Sequence, residues 1–582
     1  MLLTPIVLFV ILMILLYVPP VQNFIRKQAT AIASDATGMN ISVERIDLRF
    51  PLNLLVRGVQ VVQSEADAAD VQHPDTLLNL GSLNVSVQAW PLLQGRVEVN
   101  DITLQQVAVN SSNLLEGMHI KGILGRFFLE SHGIDLKKED AILNNVELSN
   151  THMQVMLADT TETPKDSTET AVNWRIALHN LKLKNVSVDL QMPLDSMALG
   201  ANIGDASIED ANVDLKRQFY GWRRFTLTES AVNYDLGMAA PVEGFDASHI
   251  ALRDIRIGID SVMACGRDMN AIIREFSMYD RSGLTVTSLT GRLFADSTLI
   301  RIPYLQLKTP HSDMDLTAQT YWKLVDIPTT GHLSARFNAN IGKQDVLLFA
   351  GGLPETFKEA YPFRPLVIHA GTEGNLKQMQ ISRFTAELPG AFFLSGGGEL
   401  WNLTDSLTRN GGLDFEMQTQ DLNFLTGLTG VTPDGSIIVP DSMNLVARLG
   451  LDGPQCNAIL KIKEGEGSLG LDAAYNLNTE VYHADLAIDA LQLHHFLPKD
   501  SIYTLTARVA AKGQGVDVAS HKTIARVEAK LDELQYARWN ISGVDLDAGL
   551  KSSVASVHLT SDNALLKMQT EADMRLDRKY MD

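Results

Sequence analysis

Leu178-His-Asn-Leu-Lys-Leu-Lys-Asn-Val-Ser-Val188 sets apolar side chains two apart, meets a polar residue and at once resumes. A period of two places successive side chains on opposite faces of an extended chain, so the stretch reads as strand with one buried face. Ile102-Thr-Leu-Gln-Gln-Val-Ala-Val109 and Ile250-Ala-Leu-Arg-Asp-Ile-Arg-Ile257 repeat the theme. Asn, Gln or Asp at the joint suits a tight bend or bulge, where the chain passes from one arm of a sheet to the next. Plain alternation fills Ile41-Ser-Val-Glu-Arg-Ile-Asp-Leu48 and Leu83-Asn-Val-Ser-Val-Gln-Ala89. From Gly38 onward the chain is expected to be mainly β.

A longer repeat overlies the strands in the later part. Asp345-Val-Leu-Leu-Phe349, Asp421-Leu-Asn-Phe-Leu425 and Asp489-Ala-Leu-Gln-Leu-His-His-Phe-Leu-Pro498 each open an apolar cluster on an Asp, a residue suited to cap a short helix. Downstream of each comes an alternating strand ending in a glycine-bearing turn: Val367 to Gly374, Leu445 to Gly453 and Leu505 to Gly513. The spacing is roughly 70 residues, as expected of divergent units that stack their cores in a line. Segment 159–171, DTTETPKDSTETA, reads as a polar surface loop.

Hydrophobic residues make up 45% of the 582 and charged ones 20%, enough to bury a core and to exclude global disorder. No Pro-, Gly- or Ser-rich linker cuts the chain into pieces of domain size. Lys plus Arg is 49 against 69 for Asp plus Glu, a net of −20, with no basic block. Nucleic acid and anionic lipid surfaces need a positive footprint and are therefore poor partners. Cys265 and Cys456 are the only cysteines, too few for a disulfide framework or a Cys-based zinc site; a single disulfide between them stays open.

Between Met1 and Ile25 there is no charged side chain, and LLTPIVLFVILMILLYV runs from Leu2 to Val18 before Pro19-Pro20. About twenty such residues, at about 1.5 Å each, cross a hydrocarbon core of roughly 30 Å. Residues 1–25 are expected to be a spanning helix that the proline pair stops. A cleaved signal peptide is the competing reading, but the small residues Ala29, Ala31 and Ala33 lie well past the apolar run. Arg26 and Lys27 follow the span, so the positive-inside rule alone would place the body in the cytoplasm.

Catalytic motifs are weak. Gly465-Glu-Gly-Ser-Leu-Gly470 follows a strand, with Asp489 some twenty residues on, but the next residues alternate like strand and supply no helix amino terminus for a phosphate. It reads as a hairpin turn. Ser395-Gly-Gly-Gly398 reads as a turn or bulge between strands. His494-His495 lacks a carboxylate or third His at ligand spacing and reads as helix packing. Neither an enzyme nor a cofactor or metal site is expected.

The order of motifs in the first third resembles a known family. A spanning segment is followed by Thr37-Gly-Met-Asn-Ile-Ser-Val-Glu-Arg-Ile-Asp-Leu48, Leu55-Val-Arg-Gly-Val-Gln-Val-Val62, Leu83-Asn-Val-Ser-Val87 and Trp90-Pro-Leu-Leu-Gln-Gly-Arg-Val-Glu-Val-Asn-Asp-Ile-Thr-Leu104. Trp174-Arg-Ile-Ala-Leu178, Gln191-Met-Pro-Leu-Asp-Ser-Met197 and Asn212-Val-Asp-Leu215 add to it. The chain is similar to the AsmA-like superfamily, and within it to the TamB family of translocation and assembly module proteins in its Bacteroidetes-type form. The likeness covers most of residues 1–340, with compatible repeats beyond.

That resemblance implies an inner-membrane signal anchor over residues 1–25 and a β-groove region over 26–340, with further groove repeats over 341–582. The expected fold is mainly β: an elongated β-taco, solenoid-like, with a few short helices, in the periplasm of a Gram-negative bacterium. It implies two activities, phospholipid transport to the outer membrane and assembly of outer-membrane protein clients with a BamA-like barrel partner. The basic lead that usually precedes the span and the family's carboxyl-terminal domain are not found, so the chain is expected to be a partial member. A missing basic lead would also account for the orientation conflict.

Rungs of about 11 to 20 residues, stacked about 4.8 Å apart, would make a groove about 130 to 240 Å long. Alternation makes Ile41, Val43, Ile46, Leu48, Val85 and Val87 candidates for its lining, to contact phospholipid acyl chains. The pattern leaves open whether the groove is open or closed on itself.

Overall fold

The computed structural model describes residues 18–49, 53–63, 76–88, 99–111, 117–135, 138–157, 173–429, 435–517 and 520–575. The chain divides into two compact units, Met1–Asp296 and Ser297–Asp582. Strands dominate both.

In the first unit a helix, α1 (Pro19–Thr37), precedes thirteen strands: β1 (Asn40–Arg49), β2 (Asn53–Val62), β3 (Thr76–Val87), β4 (Val99–Asn110), β5 (Met118–Asp135), β6 (Asp140–Leu157), β7 (Arg175–Met192), β8 (Met197–Asp214), β9 (Phe219–Leu236), β10 (His249–Cys265), β11 (Asp268–Asp280), β12 (Thr285–Val286) and β13 (Ser288–Ala295). Sequence neighbours pair antiparallel from β1 to β11, with one exception. β6 and β7 are parallel, Asp140 opposite Arg175 and Met156 opposite Gln191. A parallel pair needs a long connection. Segment 159–171, read as a surface loop, belongs to that connection and lies outside the described residues.

Pro19 opens α1, and Val18 before it is extended. The proline pair thus starts a helix, where a missing N–H costs nothing and the fixed φ is already helical. This corrects the expectation that the proline pair stops a helix. Among the described residues no helix is long and apolar enough to cross a membrane, and Leu2 to Tyr17 lie outside them. α1 lies along β1 on the side away from β2. Arg26 donates to the carbonyls of Val43 and Glu44 at 2.9 and 3.0 Å, Gln22 donates to Leu48 O at 3.3 Å, and Ile41 N–H donates to Ser34 Oγ at 3.1 Å. A bare edge strand is a template for unwanted pairing, and here it is covered.

Each of the three joints quoted above bends at a left-handed polar residue: Gln106 (φ 57°), Asn185 (φ 53°) and Asp254 (φ 53°). Asn150 and Glu229 do the same on β6 and β9. On β7 the apolar side chains are Leu181 and Leu183 before Asn185, then Val186 and Val188 after it. The alternation slips by one residue, and the left-handed residue absorbs the slip, so all four stay on one face. Adjacent strands bend at the same level. Asn185 donates to Asn150 Oδ1 at 2.9 Å. Opposite Glu229 stands Gly204, where a Cβ would come within 2.4 Å of the Glu229 carbonyl oxygen; at Gly125 it would come within 2.5 Å of the Asn150 carbonyl. Leu80, Val107, Thr151, Val186 and Ile255, just past the line, are buried in the inner angle of the corner.

The second unit holds β14 (Leu299–Lys308), β15 (Asp313–Tyr321), β16 (Leu333–Ile341), β17 (Leu366–Asn375), β18 (Gln378–Leu388), β19 (Phe392–Trp401), β20 (Asn410–Thr419), β21 (Asn444–Asp452), β22 (Gln455–Glu464), β23 (Gly467–Asn476), β24 (Val481–Gln492), β25 (Ile502–Gln514), β26 (Ile524–Tyr536), β27 (Trp539–Ile541), β28 (Val544–Lys551), β29 (Val554–Asp562) and β30 (Lys567–Arg575). All its described pairings are antiparallel. Short helices α2 (Trp322–Asp326), α3 (Lys343–Leu348) and α4 (Glu355–Ala360) and 3-10 turns at Asn423–Thr429 and Leu493–His495 punctuate it. A repeat emerges: α3 and α4, then β17 to β20; the turn at Asn423, then β21 to β24; the turn at Leu493, then β25 onward.

Of the three Asp residues read as caps, only Asp421 acts as one, accepting from Asn423 N–H at 2.9 Å. Asp345 lies inside α3, where its buried carboxylate accepts the Thr309 and Ser312 hydroxyls. Asp489 lies within β24. Gly465 and Glu466 form the two-residue turn between β22 and β23. Ser395 to Gly398 lie inside β19 rather than in a turn, facing a bulge in β18 between Ile381 and Phe384. The glycines there make room for neighbours: a Cβ at Gly396 would stand 2.3 Å from the Phe415 ring. Cys265 and Cys456 are free thiols.

Candidate functional site

Cross-strand register aligns the apolar residues into rows perpendicular to the strands. In the first unit one row reads Leu48, Leu54, Val85, Ile102, Leu129, Val146, Leu181, Ile208, Phe225 and Ile259 on β1 to β10. Beside it runs Ile46, Val56, Leu83, Leu104, Phe127, Leu148, Leu183, Ala206, Leu227 and Ile257. Every residue of the first row is half-buried, neither packed away nor free. Ten strands at about 4.8 Å carry such a row for roughly 45 Å.

In the second unit a row of fifteen runs Leu305, Leu316, Phe337, Ala370, Phe384, Gly396, Phe415, Ala447, Leu460, Leu471, Leu486, Val509, Ala529, Leu546 and Leu559. All fifteen are half-buried. A sheet closed on itself would bury such rows completely. Instead Val188, Leu449 and Val557 on the apolar face remain 38, 46 and 38% exposed. Each unit therefore presents an open apolar trough.

Of the six lining candidates, Leu48 and Val85 share one row through Leu54, and Ile46 stands in the next. Val43 and Ile41 continue past the corner with Val59 and Val61, and Val87 lies beyond a register shift opposite Val99. All six are half-buried.

An aromatic cluster packs at the strand ends of the second unit. Phe357 and Tyr361 on α4 meet Phe424 of the 3-10 turn, ring centroids 5.5 to 5.9 Å apart, over buried Leu388, Ala391 and Leu422. Burial pushes the Tyr361 phenol above its usual range. Lys343 is buried beneath, its ammonium donating to Glu359 O at 3.1 Å and lying 4.4 Å from the Phe363 ring centre; burial holds it below the usual lysine range.

Charge gathers on exposed positions. On β7 to β9, His179 lies 3.0 Å and Arg223 2.7 Å from Asp210, and Arg223 reaches Glu209 at 2.8 Å. Hydrogen bonds from His179 and then Arg223 hold the Asp210 carboxyl below the usual range. His495 bonds to buried Glu464 at 2.6 Å, and the His494 ring packs 5.5 Å from Tyr503. Among the described residues no group of three His, Cys, Asp or Glu is placed to hold a metal ion.

Alternation alone identified single strands of the lining but not their register, which sets the rows. Sequence reading passed over the aromatic rim and a wide, alanine-lined stretch near Cys456. No family model and no curated protein matches the chain.

Proposed function

We propose that this chain is an inner-membrane-anchored periplasmic bridge of the TamB type, whose apolar trough carries phospholipid acyl chains toward the outer membrane. The observation that supports it is the unbroken row of half-exposed apolar side chains in each unit. Moving a chain of about sixteen methylenes through water costs on the order of 13 kcal/mol, and a continuous apolar surface removes most of it. Contacts are spread along the rows, so no single residue is the site. In this reading residues 1–25 form the anchor, and the rest of α1 leads from it to the covered edge of β1. The alternative is a scaffold that works with a BamA-like barrel on outer-membrane protein clients. Strand addition would need a free edge: α1 occupies that of β1, while β30 pairs with β29 alone among the described residues.

Photocrosslinkers placed at Val85 and Val87 in cells test the proposal. Recovery of phospholipid is the expected result, and recovery of protein clients without lipid would overturn it. Leu129→Asp with Leu181→Asp, in the middle of one row, is expected to abolish lipid transfer between vesicles while leaving the strand content of the protein unchanged.

A further inference from the structure

The second trough is not uniform along its length. From β16 to β20 its central row carries Phe337, Phe384 and Phe415, with Ala370 and Gly396 between them. The Phe384 and Phe415 rings meet edge to face at 6.3 Å and fill this part. From β22 to β25 the adjoining row is Ala458, Ala473, Ala484 and Ala511 in direct register. Here the trough holds an open, mostly apolar pocket of about 560 Å³, within the roughly 300–1,000 Å³ typical of small-molecule sites.

One edge of this cavity is polar. Tyr475 and Tyr482 stand directly opposite one another near the strand ends, beside Cys456. Neither phenol has a hydrogen-bond partner among the described residues, and the Tyr482 hydroxyl lies over Gly513, where a Cβ would come within 2.6 Å of it. A phenol presents an apolar ring and a polar tip, suited to a boundary between hydrocarbon and water.

We propose that this segment is a discrete resting site for one acyl chain of a phospholipid, with the chain on the alanine floor and the oxygen-rich headgroup at the Tyr475–Tyr482 edge. The proposal rests on the trough reading above and adds a location to it. A polypeptide occupant is disfavoured, because the floor strands are paired on both sides and offer no backbone hydrogen bonds. An acyl chain asks for none.

The test uses the full chain in vesicles containing phosphatidylethanolamine with a diazirine at the end of one acyl chain. Adducts are expected to concentrate on peptides between Leu445 and Leu486, and Ala473→Trp with Ala484→Trp, which fills the space, is expected to lower them about tenfold. In unsubstituted protein, lipid is expected to slow alkylation of Cys456 by a polar maleimide and leave Cys265 unaffected. Adducts spread evenly along the trough, or unprotected Cys456, would overturn the resting site alone. Absence of adducts everywhere would instead remove the trough reading. Dioleoyl phosphatidylethanolamine should compete, and competition by free oleate only would overturn the phospholipid assignment.

Discussion

The two units build an open apolar face in different ways. In the first, strands β5 to β9 are 18 residues long and bend within themselves. Left-handed polar residues inside the strands turn one sheet into two arms. In the second, most strands run 8 to 13 residues, and Ala490 is the one non-glycine left-handed residue inside its described strands. At one place a short helix, α4, and a 3-10 turn pack aromatic side chains at the strand ends. A trough thus needs either a hinge in every strand or a separate element at strand ends. The two solutions should fail differently.

The largest difference is expected at the rim. Phe424→Ala removes a ring packed against Phe357 and Tyr361 and leaves a cavity, at a cost of about 3–5 kcal/mol. Amide exchange resolved by strand should show lost protection from β17 to β21 and none in the first unit. In the first unit, truncating Leu181, which is only half-buried, should cost less than half as much. Equal losses in the two units would break the distinction.

Next comes the corner. A β-branched residue is poorly tolerated in the left-handed region, at about 1–2 kcal/mol, and Asn185→Val also loses the bond to Asn150, worth about 1 kcal/mol. A total near 2–3 kcal/mol is expected, read by urea titration with exchange on β6 to β8. Asn185→Gly keeps the backbone and should lose only the smaller part. Asn457→Val, on an exposed and regular position of β22, should change stability by no more than about 0.5 kcal/mol. If both Val variants behave alike, the bends do not depend on those residues.

These contrasts also explain what the sequence disclosed. Gln106, Asn185 and Asp254 announced the corners because a polar residue interrupting an alternation leaves few other conformations. Gly465 likewise marked its turn. Asp345 and Asp489 misled, because an Asp before an apolar cluster serves equally as a cap, as an acceptor for Thr309 and Ser312, or as an exposed strand residue. What decides is the partner segment, for Asp345 the β14–β15 turn with Thr309 and Ser312 more than thirty residues away. The parallel β6–β7 pair is invisible locally for the same reason. The alanine floor escaped notice because four alanines on four strands form a row only after register is set.

The smallest expected effect separates the β7 to β9 charge cluster from the aromatic rim by acid. Asp210 is held below the ordinary carboxylate value of 3.8 by His179 and Arg223. A carboxyl whose folded value is depressed contributes its stability in full above its unfolded value, and loses it as pH falls through the folded one. Acidification below about pH 4 should therefore weaken β7 to β9 of the first unit, where hydrogen-bonded charge lines the outside. The aromatic rim has no such dependence, since Tyr361 is pushed upward and stays protonated throughout. Asp210→Asn should lower the urea midpoint of β8 and β9 slightly at neutral pH, and the gap from the parent protein should narrow as acid protonates Asp210. The group is solvent-exposed, so screening keeps the effect small, and raised salt should shrink it further. A gap that does not narrow at all on acidification would mean that Asp210 acts through shape rather than charge. The corner would then be held by its left-handed backbone alone, which would sharpen the contrast with the packed rim.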